Sequence, residues 1–82
     1  MILLDGQRLA ERDTMHEELM AKLRLPDYYG KNLDALNDAL GERAERELIV
    51  IRDSGAFVSE CGSYGLKLLQ VFADNGLQVL LD

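Results

Sequence analysis

Three short apolar, β-prone runs limit what this chain can fold into: Ile2-Leu3-Leu4, Leu48-Ile49-Val50-Ile51 and Leu77-Gln78-Val79-Leu80-Leu81. The middle run has no polar alternation, the pattern of a strand covered on both faces or nearly so. Each run is separated from the next by more than the roughly one dozen residues that a parallel crossover requires. The runs therefore predict an α/β domain with a three-stranded parallel sheet over residues 2–4, 48–51 and 77–81 and helices packed mainly on one face. At 82 residues the chain makes one domain, residues 1–82. A domain of this size buries roughly 60 to 70 % of its unfolded surface and folds without metal or disulfide.

The connections between these runs read as helices. Thr14 with Glu17 fits a capping box, and Met15, Leu19 and Leu23 form one stripe that stops before Pro26, predicting a first helix over residues 14–25. Asn32 is a favoured N-cap, because its side-chain oxygen can accept from an unpaired first-turn amide, and Gly41 suits a left-handed closing residue. Leu33, Leu36 and Leu40 supply the apolar stripe between them. Between Asp53 and Asn75, the breaks at Ser54-Gly55, Cys61-Gly62-Ser63 and Gly65 predict a short or irregular element. A helix then runs from about Tyr64, with Leu68, Leu69 and Phe72 on its apolar side, to Asn75-Gly76. No linker, internal repeat or low-complexity stretch interrupts the pattern.

Residues 25–40, Leu-Pro-Asp-Tyr-Tyr-Gly-Lys-Asn-Leu-Asp-Ala-Leu-Asn-Asp-Ala-Leu, combine a tyrosine pair, a glycine turn and a helix with acidic residues opposite its apolar stripe. Asp34 and Asp38 are four apart and so neighbours on that face, a like-charge arrangement that costs an isolated helix roughly 0.2 to 0.5 kcal/mol. Asp34 recovers part of this from the helix dipole, being in the first turn, and Asp38 does not. From Asp27 to Glu42 four acids and one base give net −3 of the chain's −6. Such a field steers a cationic partner and repels nucleic acid. The plain alternative is a solvated acidic helix face. Adjacent tyrosines in a loop point different ways, so one ring anchors the loop and the other faces a partner, unless both serve only to pack it.

This segment resembles the signature of the barstar family, intracellular inhibitors of small secreted microbial ribonucleases. The resemblance is ungapped over residues 25–40 and extends more weakly to residues 2–6, 14–25, 48–51 and 69–72. It implies sheet order 1-2-3 and an inhibitor whose helix and preceding loop plug the nuclease active site, carboxylates standing in for RNA phosphates. It implies a partner-binding set of Tyr28, Gly30, Asn32, Asp34, Asn37, Asp38, Arg43 and Asp74, with Asp38 in the phosphate site and Tyr28 the exposed ring. Asn37 and Arg43 stand where the best-known member has tryptophans, and the chain is about one helical turn shorter between Asp74 and Gly76, which removes a second acidic position.

The remaining chemistry is sparse. His16 and Cys61 are single residues of their kinds on different predicted elements and read as structural. Asp34 and Asp38 could hold Mg²⁺, but such sites usually add further carboxylates or a phosphate, and no glycine-rich phosphate loop is present. A small carboxylate enzyme needs a deep pocket and a carboxyl of raised pKa. With one cysteine, no apolar run near the roughly twenty residues of a membrane span and no signal peptide ahead of Ile2, a reducing bacterial cytoplasm is the expected setting. Net −6 and pI about 4.6 disfavour nucleic acid. The expectation is a non-enzymatic, cofactor-free immunity-type inhibitor of a basic extracellular-type ribonuclease or related toxin. The alternative is a barstar-like module with a different, non-ribonuclease partner.

Overall fold

A computed structural model describes residues 1–43 and 47–82. Strand β1 (Ile2–Asp5) leads through a 3-10 turn at Arg8–Ala10 into helix α1 (Arg12–Lys22). A loop precedes helix α2 (Leu33–Gly41), and strand β2 (Ile49–Arg52), helix α3 (Ser54–Asp74) and strand β3 (Val79–Leu81) follow. The strands form one parallel sheet of order β1-β2-β3.

The register aligns Ile2, Ile49 and Val79 across the sheet, then Leu3, Val50 and Leu80, then Leu4, Ile51 and Leu81. Side chains alternate between faces along a strand. Ile2, Leu4, Ile49 and Ile51 point into the core, where they meet Met15, Leu19, Leu36, Leu40, Phe57, Leu68 and Phe72. The other face holds Leu3, 42 % exposed, and Leu80, 55 % exposed, on either side of Val50. Helices thus cover one face, while on the other Val50 is buried between Leu3 and Leu80, so the middle strand is covered on both faces as its unbroken apolar run suggests.

Three local expectations change. Thr14 does not cap α1; the helix begins at Arg12 after an extended Glu11, and the Thr14 hydroxyl donates to the Arg8 and Glu11 carbonyls. The 3-10 turn delivers the chain early enough for two more residues to join the helix. Gly41 is not left-handed either. It is the last residue of α2, and Glu42 closes the turn in right-handed conformation through its amide to the Ala39 carbonyl. Finally, Leu77 lies outside β3, because its amide bonds the Phe72 carbonyl and that of Gly76 bonds Ala73. With Gly76 at φ 75° these bonds make a Schellman cap on α3, so the strand starts later.

The same cap ends α1. Leu25 N–H reaches back to the Met20 carbonyl at 2.9 Å across Arg24, which sits at φ 56°. The irregular region expected after Asp53 is one assigned helix with a kink: Gly62 adopts φ 59°, ψ −135°, backbone that only glycine enters readily, and separates residues 54–61 from 63–74. Glu18 is buried yet satisfied, accepting from the Asp5 amide at 2.9 Å beside Arg8 Nε and Lys22 Nζ, each at 3.3 Å. No helix among the described residues is long and apolar enough to cross a membrane.

Candidate functional site

The loop and helix at residues 25–42 are fixed by their own chemistry. A turn closes from the Tyr29 amide to the Pro26 carbonyl at 2.9 Å. Asn32 is the N-cap of α2: its Oδ1 accepts from the Ala35 amide at 2.7 Å, and its Nδ2 donates to the Gly30 carbonyl at 3.1 Å. One side chain therefore ties loop to helix. A Cβ on Gly30 would come within 3.3 Å of the Ala35 Cβ, so the two segments pack closely there.

The adjacent tyrosines divide their tasks. Tyr29 is 7 % exposed, and its hydroxyl lies 2.8 Å from His16 Nδ1 and 3.4 Å from the Asn32 carbonyl. Tyr28 is 87 % exposed. His16 is itself buried, with its Nε2 2.7 Å from the Tyr64 hydroxyl, so α1, the loop and α3 share one hydrogen-bonded chain. Burial holds the His16 pKa below its ordinary 6.5, helped by the positive charges of Arg12 and Lys31 and opposed by Asp13. Burial, with a smaller contribution from Tyr64, pushes Tyr29 up to about 12.

Outside this support, Asp34 and Asp38 are exposed on α2, and among the described residues neither enters an ion pair. A cleft of about 530 Å³ between loop and helix is lined by Tyr28, Gly30, Asp38, Glu42 and Arg43. Arg43 is tied to its own chain: Nη1 donates to the Leu23 carbonyl at 2.7 Å, and Nη2 lies 3.5 Å from Glu47. Asn37 accepts from Asn75 Nδ2 at 2.8 Å, which clasps α2 to the end of α3. Beside that clasp Asp74 is exposed, accepting from Gln70 at 2.7 Å, and shares a groove with Leu40, Gly41 and Arg43.

These positions form one continuous strip from Tyr28 across Asp38 to Asp74. Its outer carboxylates lie open to solvent, where cations can reach them. Among the described residues no group of three histidine, cysteine, aspartate or glutamate side chains is placed to hold a metal ion.

A sequence model of the family described as Barstar (barnase inhibitor) matches residues 1–79. The chain belongs to the barstar family. A curated relative from Bacillus subtilis (strain 168), named "Putative ribonuclease inhibitor YrdF", is 35 % identical over 74 residues, which span 89 % of this chain and 81 % of the relative.

Against the expected barstar-family site, the structure gathers Tyr28, Gly30, Asp38 and Arg43 around one cleft and makes Asn32 the hinge between loop and helix. Asn37 and Asp74 lie at the junction with α3, while Asp34 borders a second cleft, beside Lys31. The role of His16 was not visible in the sequence. A single histidine carries no pairing signal, and its two tyrosine partners lie 13 and 48 residues away.

Proposed function

We propose that this barstar-family chain inhibits a small basic ribonuclease by covering its active site with the outer face of α2 and the loop before it. In this reading Asp38 enters the site that holds RNA phosphate, Asp34 and Asp74 support it electrostatically, and Tyr28 packs at the contact edge. The observation that carries it is the pair Asp34 and Asp38, exposed one helical turn apart and without an ion pair among the described residues. A neighbouring like charge raises the cost of each carboxylate in the free protein, and a cationic enzyme relieves it. The family match and the relative's name support a ribonuclease as partner.

The rim bears on which enzyme is taken. Interface energy concentrates in tryptophan, tyrosine and arginine anchors, and this rim offers Asn37 and an internally tied Arg43. The nuclease that fits best has a polar rim, and the best-known family enzyme should be inhibited weakly or not at all. The setting that fits is a reducing cytoplasm that must be protected from a toxin-like nuclease.

The test is RNA cleavage by a panel of basic microbial ribonucleases, including any encoded beside this gene, with stoichiometric protein at low and high salt. Inhibition of at least one enzyme, weaker at high salt, is expected. If every nuclease keeps its activity, a barstar-like module for a different protein partner becomes the better account.

A further inference from the structure

Arg12, Arg24, Lys31 and Lys67 are the lysines and arginines that make no ion pair among the described residues, whereas Lys22, Arg43 and Arg52 each make one and Arg8 makes two. All of the unpaired set except Arg24 line one cleft of about 500 Å³, between the start of α1, the loop before α2 and the second half of α3. On a chain of net −6 this is an unexpected place for three cations to meet.

We propose that this cleft is the carboxylate-binding half of the docking face, taking acidic side chains from the rim of the same partner whose cations meet Asp34 and Asp38. The inference rests on the occlusion reading and adds a second, opposite charge requirement to it.

Several features bear on the site. The Arg12 guanidinium lies 4.1 Å over the Tyr64 ring, which holds it in place while leaving its edge for hydrogen bonding. Lys31 is carried at φ 53°, a conformation L-residues rarely adopt, at the loop's junction with α2. The carboxylates that line the cleft are Asp13 and Asp34, so the local balance is positive. Its effect reaches the floor, where Arg12 and Lys31 add to burial in disfavouring a proton on His16.

Guanidinium and ammonium groups from separate elements suit carboxylates, which accept from both in charge-assisted hydrogen bonds. A polyanion such as RNA is a poor occupant, because Asp13 and Asp34 line the cleft, Asp38 follows Asp34 one helical turn on, and together they repel a continuous phosphate chain. Isolated carboxylates on an otherwise basic protein meet no such opposition. The partner that fits therefore has a cationic centre and an acidic edge.

The test has two arms. In the first, the isotope-labelled protein is titrated with hexaglutamate at low salt and followed by amide chemical shifts. Saturable shifts centred on Arg12, Lys31 and Lys67 are expected, and should vanish in a Lys31→Glu, Lys67→Glu double variant with otherwise native spectra. No saturable shift, or shifts centred on Arg24, overturns the carboxylate site. Should the double variant fail to fold, Lys31→Gln with Lys67→Gln replaces it.

In the second arm the same variant is assayed against a nuclease that the wild type inhibits. Added negative charge by itself speeds capture of a basic enzyme, so a loss must come from local contact. Inhibition about tenfold weaker is expected. Wild-type inhibition by the double variant, with Asp38→Asn still impaired, overturns the cleft's role and leaves occlusion standing. If no nuclease is inhibited at all, occlusion fails together with the partner assignment, and the peptide titration alone decides whether the cleft takes carboxylates.

Discussion

His16 Nδ1 lies 2.8 Å from the Tyr29 hydroxyl, so the buried face of α1 props the loop whose next-door residue, Tyr28, stands in solvent. A buried ring and an exposed one are thus separated by one peptide bond. This arrangement makes the loop's order depend on a titratable group.

Acid should loosen it. The folded His16 has a pKa below 6.5, while the unfolded residue keeps about 6.5, so between the two values the unfolded chain binds more protons. The stability contributed by neutral His16 is complete above about pH 6.5 and is lost as pH falls through the folded pKa. Arg12 and Lys31 face the imidazole and oppose its charging, and Asp13 partly offsets them. Thermal unfolding from about pH 8 to about pH 5 should show this decline, and His16→Gln should flatten it. An unchanged slope in the variant would remove His16 as its source.

The two tyrosines should separate by assay. Tyr29→Phe strips a hydroxyl from buried His16 Nδ1 and should cost about 1 to 3 kcal/mol in chemical denaturation. Tyr28→Ala should change stability by no more than about 0.5 kcal/mol and act only on inhibition. At the alkaline end, Tyr29 resists ionisation up to about 12 against an ordinary 10, so its contribution is present below pH 10 and is lost across that interval. Phenolate absorbance at equilibrium should show a tyrosine titrating at about 12 that Tyr29→Phe abolishes, apart from Tyr64, whose burial also raises it.

Asp38→Asn should leave the free protein as stable or up to about 0.5 kcal/mol more stable, because it relieves the repulsion with Asp34. Inhibition of the cognate nuclease should fall at least about tenfold, roughly 1.4 kcal/mol. Denaturation and inhibition measured on one preparation check both halves. Unaltered inhibition takes Asp38 out of the contact.

Left-handed backbone offers a test of opposite sign at two helix breaks. Arg24 occupies φ 56° in the cap of α1, where glycine is at ease, and Arg24→Gly should add about 0.5 to 1 kcal/mol. Gly62 occupies φ 59° with ψ −135° at the kink of α3, and Gly62→Ala should remove about 1 to 3 kcal/mol although nothing lies within 4 Å of the new Cβ. Denaturant midpoints report both.

Much of this was legible because periodicity and capping are local. The stripe Leu33, Leu36, Leu40 and the Asn32 cap placed α2, and the three apolar runs placed the strands and their parallel sense. The exposed carboxylate pair was also a local consequence of spacing, and adjacency put one tyrosine in and one out, while the family resemblance pointed to Tyr28 as the exposed one. What escaped depends on distant partners. Thr14 looked like a cap because the preceding 3-10 turn leaves no composition signal, and Glu18 looked like one more surface acid until the Asp5 amide, Arg8 and Lys22 were brought to it. Arg43 was expected at the rim as a contact, and its hydrogen bond to the Leu23 carbonyl spans 20 residues. The cationic cleft joins three elements in the same way.

Because Asp34, Asp38 and Tyr28 make no ion pair or hydrogen bond through their side chains among the described residues, the fold is indifferent to what stands there. The outer strip can then be rewritten while His16, Tyr29, Asn32 and Tyr64 hold its backbone in place. A library randomised at those outer positions should stay folded in most of its members, which makes this small domain a scaffold for retargeting toward other cationic clefts.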